Sequence, residues 1–335
     1  MRISCSWQPG GALTFRNKSS KIFDTFGRNM QNLSDIEKRF FKADPGKRLI
    51  QRDVAGAEAV IVGYLCKSGP YRDLAKYEVK HHSYIAGHLF KDYWKETTPY
   101  DIDHLLSLSI KNLSEHPHYK PLWKIIKSTD SLEGKMRKYY IGKKVGLSFN
   151  YEQGFNSFRT VVMKETGGAI NLTSKESELF KSMYEGIFPE IPEWQNNTKV
   201  IVKRDKIIRN LFGHPFRITS YPSDDILRKC IAWVPQSTVG VLAAQAMVKM
   251  QAWTEEHPEY LCDVLGNVHD SVVVQCPEEF IPIVARVLGE FLELEFASPV
   301  DGEKFKMKTE LSVGNNLAKK TDDNPEGLDD YKIAA

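Results

Sequence analysis

The sequence predicts an α/β (α+β) fold, in which short strands carry acidic residues and helices make up much of the remaining chain. Residues 49–54 have the apolar pattern of a strand that closes on an acidic side chain. Residues 264–276 are rich in β-branched side chains interrupted by polar ones, which predicts a hairpin with an acidic residue near its bend. Helices are expected over Ala57–Leu65 and residues 236–253. No linker divides the chain, so we expect interleaved subdomains.

Composition sets broad limits on the class of protein. The chain has 335 residues, of which 41% are hydrophobic, enough for a sizeable core and roughly two domains of ~150 residues. Its net charge of +3 is a weak sign of a nucleic-acid partner. The five cysteines show no zinc-ligand spacing and are expected to be reduced thiols. No leader pattern precedes the chain's apolar runs, which are shorter than the ~20 residues of a membrane span, so a cytoplasmic protein without a membrane partner is expected.

A basic stretch between Tyr119 and Lys144 suggests contact with nucleic acid. It contains eight basic residues against two acidic ones, with Trp123, Tyr139 and Tyr140 interleaved among the charges. Phosphates would meet the charges and bases would stack on the rings. The alternative is an ordinary solvated helix face.

Other segments complete the expected organisation. Helical periodicity continues in three further stretches: residues 67–93, 103–112 and 135–151. Gly142 and Gly146 weaken the last of these, at roughly 1 kcal/mol each relative to Ala. We expect residues 189–192 to break regular structure, residues 213–215 to form a turn, and the polar chain from Lys319 onward to be frayed.

Asp53 and Asp270 are the residues that most clearly suggest chemistry. Each carboxylate stands within an apolar, strand-like stretch, where burial is costly unless a cation compensates the charge. If the two strands pair, the carboxylates converge and could hold one or two Mg²⁺ ions. Taken singly, each residue is more typical of a turn or an ion pair.

Three segments resemble motifs A, B and C of family A (polymerase I-like) DNA polymerases. Asp53 opens Asp-Val-Ala-Gly-Ala-Glu, which ends at Glu58 and resembles motif A, and the His-Asp-Ser of residues 269–271 resembles motif C. Residues 141–151 are similar to motif B, especially its bacteriophage versions. Residues 29–33, 235–238 and 311–316 resemble further segments of the family, so the likeness extends over almost the whole chain.

The resemblance implies a polymerase right hand with an antiparallel-sheet palm and helical fingers. The palm would comprise residues 1–75, including motif A, and residues 231–318, including motif C. The fingers would span residues 76–230, and residues 319–335 would form a tail. Thumb and exonuclease are expected to be absent, so that a separate polypeptide supplies one or both, unless the sequence is part of a longer polymerase.

The same resemblance assigns roles in a two-metal reaction that joins deoxynucleotides to a primer. Asp53, Asp270 and the Val54 carbonyl would bind two Mg²⁺ ions, with Mn²⁺ able to substitute, while Lys143 would act as a catalytic cation beside the triphosphate. The incoming dNTP would contact five residues: Glu58, His82, Lys143, Leu147 and Tyr151. Primer-template DNA would contact six: Arg16, Asn29, Gln31, Asn32, Gln236 and His269.

Spacing gives independent support for a nucleotide-binding helix in motif B. Lys143, Leu147 and Tyr151 recur every four residues and therefore form one stripe on a helix. A cation, an apolar surface and a ring in line suit a triphosphate, a sugar and a base. The alternative is an amphipathic helix that faces the core and extends its lysine to solvent.

Some positions depart from the family pattern, and two other functions remain open. Tyr139 stands where the family usually has an Arg, Leu147 replaces a Phe or Tyr, and Ser271 replaces a common Glu. One alternative is a single-subunit RNA polymerase, against which Glu58 argues because it would leave no space for a ribose 2′-hydroxyl. The other is a non-catalytic DNA-binding subunit of a replication complex.

Overall fold

The computed structural model describes residues 6–8, 12–16, 18–20, 31 and 33–333, with residues 6 and 7 described for the backbone only. Its centre is a sheet of five strands in the order β11-β10-β3-β7-β6, with every neighbouring pair antiparallel. These strands are β3 (Lys47–Val54), β6 (Asp263–Val268), β7 (Ser271–Pro277), β10 (Thr309–Gly314) and β11 (Asp329–Asp330). The mixture of antiparallel sheet and helices confirms the predicted fold class.

Three two-stranded ribbons lie outside this sheet. They pair β1 (Ser6–Gln8) with β2 (Lys18–Ser20), β4 (Ile207–Arg209) with β5 (Pro215–Arg217), and β8 (Glu295–Ala297) with β9 (Lys304–Lys306). The turn predicted at residues 213–215 joins β4 to β5 and contains Gly213 at φ +81°. Glycine adopts this left-handed conformation at little cost, which favours the turn.

The helices fall into two groups along the chain, those before β4 and those after β5. The first group comprises α1 (Asp35–Lys38), α2 (Ala57–Leu65), α3 (Pro70–Lys76), α4 (His81–Leu89), α5 (Lys91–Thr97), α6 (Ile102–Ser107), α7 (Ile110–Glu115), α8 (Tyr119–Ser128), α9 (Lys138–Asn150), α10 (Phe155–Glu165), α11 (Ser174–Ile187) and α12 (Glu190–Asp205). The second comprises α13 (Asp224–Glu256) and α14 (Ile281–Leu292).

Two hydrophobic clusters account for most of the packing among the described residues. One lies between the sheet and helices α2, α13 and α14, and its members include Ile50, Val272 and Leu242, each with no exposed surface. The other lies among helices α3 to α12 and is centred on large side chains such as Trp94 and Tyr184. Burial of these apolar surfaces is the main stabilising contribution to each half of the protein.

The strand and hairpin predictions at the two aspartates are confirmed. β3 is the central strand of the sheet, between β10 and β7, and the hairpin of β6 and β7 bends at His269 and Asp270, where His269 has φ +54°. α2 spans the predicted residues Ala57–Leu65 and begins after Gly56, whose φ is +58°.

Several expectations about local structure are wrong. Trp123 and Tyr140 are buried at 5% and 9% exposure, so apolar burial places them in the core and not among the surface charges. The break predicted at residues 189–192 is confirmed only at its first residue. α11 ends at Ile187 and Pro189 is the N-cap of α12, whereas Pro192 lies within the first turn of α12, where a backbone N–H has no helical partner. The predicted helix at residues 67–93 is divided among α3, α4 and α5, and that at 103–112 between α6 and α7.

The chain from Lys319 to residue 333 is folded, contrary to the expected frayed tail. β11 pairs with β10, and Leu328 and Asn324 are buried at 7% each. Asn324 exchanges hydrogen bonds with Asn316 at 2.8 and 3.1 Å. A polar sequence therefore remains ordered here through side-chain amides that satisfy one another.

Helix α13 is 33 residues long and apolar enough, by length and composition, to cross a membrane. Its most apolar stretch is 67% buried inside the protein. This is the pattern of a core helix, and Pro235 within it is also buried.

Candidate active site

Asp53 and Asp270 come together at one end of the central sheet. Asp53 lies opposite Ser271 in the pairing of β3 with β7, and the Val54 amide donates to the Asp270 carbonyl at 3.4 Å. Burial, followed by the negative charge of Asp270, raises the pKa of Asp53 to about 6. The two carboxylates therefore interact, as the pairing of their strands predicts.

Arg16 connects Asp270 to Glu58. Its Nη2 atom lies 3.0 Å from Oδ1 of Asp270 and 2.6 Å from Oε1 of Glu58. The two carboxylate side chains are 26% and 17% exposed, so water screens them weakly. Burial raises the pKa of Asp270 even though Arg16 lowers it. Asp270 and Glu58 together carry two negative charges, and the single positive charge of Arg16 neutralises only one of them.

Tyr151 joins helix α9 to the carboxylate of Glu58. Its hydroxyl donates a hydrogen bond to Oε2 of Glu58. Burial and the Glu58 charge hold the pKa of Tyr151 well above its usual range, so the phenol remains a donor. Glu58 itself is in the first turn of α2, where the helix dipole favours a negative charge.

Buried amides hold the end of α9, and with it Tyr151. Nε2 of Gln195 donates to the carbonyls of Phe149 and Asn150 at 2.7 and 3.0 Å, which satisfies carbonyls that lack partners at a helix end. Asn150 donates in turn to the Tyr71 hydroxyl at 2.6 Å. Tyr151 therefore follows the helix as its C-terminal cap and not as part of its last turn.

Glycines let α9 approach α4 closely. A Cβ atom at Gly142 would lie 2.7 Å from Cβ of Ala86 and 2.8 Å from the His82 carbonyl oxygen. A Cβ at Gly146 would lie 2.9 Å from Ile85. The same glycines that weaken the helix signal in sequence are therefore required by its packing.

This packing brings His82 and Lys143 to the same side of the site. Burial lowers the pKa of His82 to about 4, and the nearby charges of Lys143 and Lys80 lower it as well. Lys143 is exposed, and in the described part of the chain no acidic side chain pairs with it, whereas Lys144 pairs with Glu165. The Lys143 ammonium interacts with the charge of Glu165 only at longer range and is open to solvent, so an anionic ligand can reach it.

Comparison with known proteins bears on the fold. No family model matches the sequence. A DNA polymerase of Bacillus phage SP01 is 22% identical over 157 residues, which are 45% of this chain and 17% of that protein. The polymerase domain of Pol1 from M. smegmatis, solved with DNA primer-template and dNTP, superposes with a TM-score of 0.66 at 13% identity, covering 94% of this chain and 48% of that one.

The chain has a polymerase I-like fold. In both comparisons it spans less than half of the other protein's length. Strands β3 and β7 lie in the ranges predicted for the palm, and α9 lies in the range predicted for the fingers. The division of the chain into palm, fingers and tail stays a prediction.

The expected DNA-contacting residues are placed only in part within this polymerase-like fold. His269 is exposed at the hairpin bend, and Gln236 is half-buried on α13. The backbone amide of Gln31 donates to Oγ of Ser19 at 3.2 Å. Asn29 and Asn32 lie outside the described residues. The role of each in binding DNA stays a prediction.

Glu310 is a site residue that the motif comparison missed. It lies opposite Asp53 in the pairing of β3 with β10, and its charge contributes to the raised pKa of Asp53. Lys80 pairs with it at 2.9 Å. In the sequence, Glu310 stands one residue before the apolar alternation of residues 311–313. This alternation predicts a strand but does not show which strand pairs with it.

The carboxylates fit a magnesium site that the substrate completes. Among the residues described, no group of three or more His, Cys, Asp or Glu side chains forms a metal cluster. Mg²⁺ is commonly held by one or two carboxylates together with substrate phosphates, not by an all-protein cage. Asp53 and Asp270 meet this requirement. The pKa of Asp53 is raised first by burial and then by the charges of Asp270 and Glu310, and a divalent cation would offset both effects.

Proposed function

We propose that this protein is a DNA polymerase that extends a primer along a template by joining deoxynucleoside monophosphates to its 3′-hydroxyl. The observation that carries the proposal is the meeting of Asp53 and Asp270 at the end of the palm sheet, next to Glu58 and Tyr151. Oxygen ligands in this position suit Mg²⁺ or Mn²⁺. The motif order and the polymerase I-like fold agree with that chemistry.

The protein's part in such a reaction is mainly positioning and charge stabilisation. Asp53, Asp270 and the Val54 carbonyl would hold two divalent cations, which when bound favour ionisation of the primer hydroxyl and stabilise the pyrophosphate leaving group. Lys143 faces solvent without an acidic partner in the described structure and would bind the triphosphate. It would also be the nearest candidate to donate a proton to the leaving group.

His82 would contribute hydrogen bonding and not charge. Because its pKa is lowered to about 4, the imidazole is neutral at physiological pH. A neutral imidazole can donate one hydrogen bond to a phosphate oxygen while Lys143 supplies the positive charge. This division of labour limits the repulsion between the two groups.

Glu58 supports a preference for deoxynucleotides. Tyr151 and Arg16 both hold its carboxylate, so the side chain cannot easily swing away. A fixed carboxylate beneath the sugar would exclude a ribose 2′-hydroxyl by contact and by repulsion of its lone pairs. Leu147, half-buried on the same helix as Lys143, would contact the sugar or base through its apolar surface.

The decisive experiment is Mg²⁺-dependent extension of a labelled primer on a defined template, comparing the wild type with Asp270→Asn and Asp53→Asn. We expect each variant to lose at least about 1,000-fold in rate, because removing a metal ligand removes several kcal/mol of transition-state stabilisation. Asp205→Asn is the matched control, since Asp205 pairs with its neighbour Arg204 on the surface. Wild-type protein that binds primer-template without extending it would instead indicate a non-catalytic subunit.

A partner polypeptide that supplies a thumb, an exonuclease or both stays a prediction. The same extension assay measures it through product length after a single binding event. Short products from this chain alone, lengthened by a partner protein, would support the prediction. Long products from the chain alone would contradict it.

A further inference from the structure

Arg16 occupies the position in which the proposed function requires a cation. One nitrogen, Nη2, donates to both Asp270 and Glu58, at 3.0 and 2.6 Å. Asp270 is a proposed ligand of the divalent ion, so the protein's own positive charge lies within hydrogen-bonding distance of that ligand. A guanidinium and a divalent cation that shared one carboxylate at this distance would repel each other.

A docked loop delivers Arg16 to this position. Nε1 of Trp233 donates to the Leu13 carbonyl at 2.9 Å, and the Ala12 amide donates to the Arg16 carbonyl at 3.1 Å. The loop crosses α13 at Gly240, where a Cβ atom would lie 2.7 Å from the Thr14 carbonyl oxygen. These contacts hold the backbone of Arg16 against α13, and its long side chain spans the remaining distance to the carboxylates.

The guanidinium is incompletely satisfied where it lies. Both of its hydrogen bonds to the carboxylates use Nη2, whereas its Nε atom is buried and has no hydrogen-bond partner among the described residues. A buried donor without an acceptor is costly. A shift of the side chain that gave Nε an acceptor would recover that cost, so the bond to Asp270 is one that Arg16 can give up.

We propose that Arg16 is a built-in counter-ion that exchanges with the divalent cation at Asp270. Without a cation, Arg16 holds Asp270 and Glu58 together and limits their repulsion. When the cation binds, Arg16 leaves Asp270 and keeps Glu58, which it still positions against the sugar. This inference rests on the proposed function, because it assumes that Asp270 binds the cation.

The test measures Mn²⁺ binding to the full chain without DNA, by electron paramagnetic resonance of free Mn²⁺. Arg16→Gln removes the competing charge, and we expect it to bind Mn²⁺ about 5- to 150-fold more tightly than the wild type, the usual range of coupling between two ligands. Arg16→Lys keeps the charge and should remain close to the wild type. Arg204→Gln removes one positive charge from an exposed ion pair elsewhere and should leave the affinity unchanged.

The outcomes separate this inference from the proposed function. Mn²⁺ binding that depends on Asp53 but is unchanged or weakened by Arg16→Gln overturns the inference alone. Absence of Asp53-dependent binding in both the wild type and Arg16→Gln overturns the proposed metal site and the inference together. Tighter binding by Arg16→Gln, lost again in the double variant with Asp53→Asn, supports both.

A second measurement uses the unaltered protein, in case Arg16→Gln impairs folding. The Nε–H resonance of Arg16 is followed by nitrogen-15 NMR during titration with Mg²⁺, and assigned by its absence in Arg16→Lys. We expect the resonance to shift as the cation displaces the guanidinium. A resonance that stays unchanged while Mg²⁺ saturates the Asp53-dependent site overturns the exchange.

Discussion

The hydroxyl of Tyr151, at the end of helix α9, donates a hydrogen bond to Glu58 in helix α2. The contact joins two residues 93 positions apart in the chain. It means that a shift of α9 is transmitted to the carboxylate that would lie beneath the incoming sugar. In the proposed function, sugar selection would therefore be coupled to the position of α9.

Removing the Glu58 carboxylate should weaken discrimination against ribonucleotides. We expect Glu58→Ala to lower the preference for dNTP over rNTP by about 10- to 200-fold, the usual value of one excluded group in a binding pocket. Tyr151→Phe removes only the hydrogen bond to Glu58 and should have a smaller effect in the same direction. Single-nucleotide incorporation with matched dNTP and rNTP measures both, and an unchanged ratio in Glu58→Ala would refute the role.

Two adjacent lysines on α9 provide a matched test of triphosphate binding. Lys143 has no acidic partner in the described structure, whereas Lys144 pairs with Glu165. We expect Lys143→Ala to lower kcat/KM for dNTP by about 100- to 1,000-fold, as for loss of a group that stabilises transition-state charge. Lys144→Ala should change it by less than about 3-fold, typical of a partly exposed ion pair. Equal losses in the two variants would indicate a general effect of charge on DNA binding.

Local signals in the sequence predicted the parts of the site that local patterns determine. Strand β3, the bend at Asp270 and helix α2 follow from apolar periodicity and from glycine and polar residues at their ends. The sequence predicted that Asp53 and Asp270 lie close together, because Asp53 is near the end of one strand, Asp270 comes just before another, and each belongs to a recognisable motif. The expectation of an antiparallel palm came from the resemblance to the polymerase family.

Long-range packing set the features that the sequence left undetermined. Trp123 was assigned to a basic surface because charges surround it in sequence, yet on α8 the lysines and the tryptophan point in different directions. Glu310, on strand β10, lies opposite Asp53, and Arg16, in a loop, contacts Asp270. In each pair the two residues are more than 200 positions apart in the chain. No local pattern specifies such pairings, because they depend on which strands become neighbours.

Close packing of α9 on α4 predicts that its glycines resist substitution. At Gly142 an added methyl group would meet Ala86 and the His82 backbone below 3.0 Å, so the helices must separate. We expect Gly142→Ala to destabilise the protein by about 1–3 kcal/mol, as overpacking usually does. It should also weaken dNTP binding, because His82 and Lys143 move apart.

Gly186 is the matched control for this substitution. It is exposed within α11, with no atom within 4 Å of an added Cβ. Gly186→Ala should be neutral or stabilise the protein by up to about 1 kcal/mol, because alanine favours the helix. Urea unfolding followed by circular dichroism measures both variants, and equal stability of the two would show that the helices are not in close contact.

The raised pKa of Asp53 predicts a stability that depends on pH when no divalent cation is present. Because the pKa is about 6 in the folded protein and 3.8 in its ordinary state, ionisation of Asp53 is disfavoured by folding. Its favourable contribution is therefore present below about pH 4 and is lost as the pH rises through about 6. Asp53→Asn, which cannot ionise, should match the wild type at about pH 4 and exceed its Tm by about 1–2 °C at about pH 8 in EDTA. Saturating Mg²⁺ should remove or reverse the difference, since only the wild type retains the ligand.

Asp301→Asn gives the opposite sign, because the Arg72 guanidinium lowers the pKa of Asp301 to about 2, so that its loss should lower the Tm at about pH 8. Differential scanning calorimetry across this pH range decides the point: a Tm difference for Asp53→Asn that is independent of pH would mean that neither burial nor the charge of Asp270 raises the pKa of Asp53 in the folded protein.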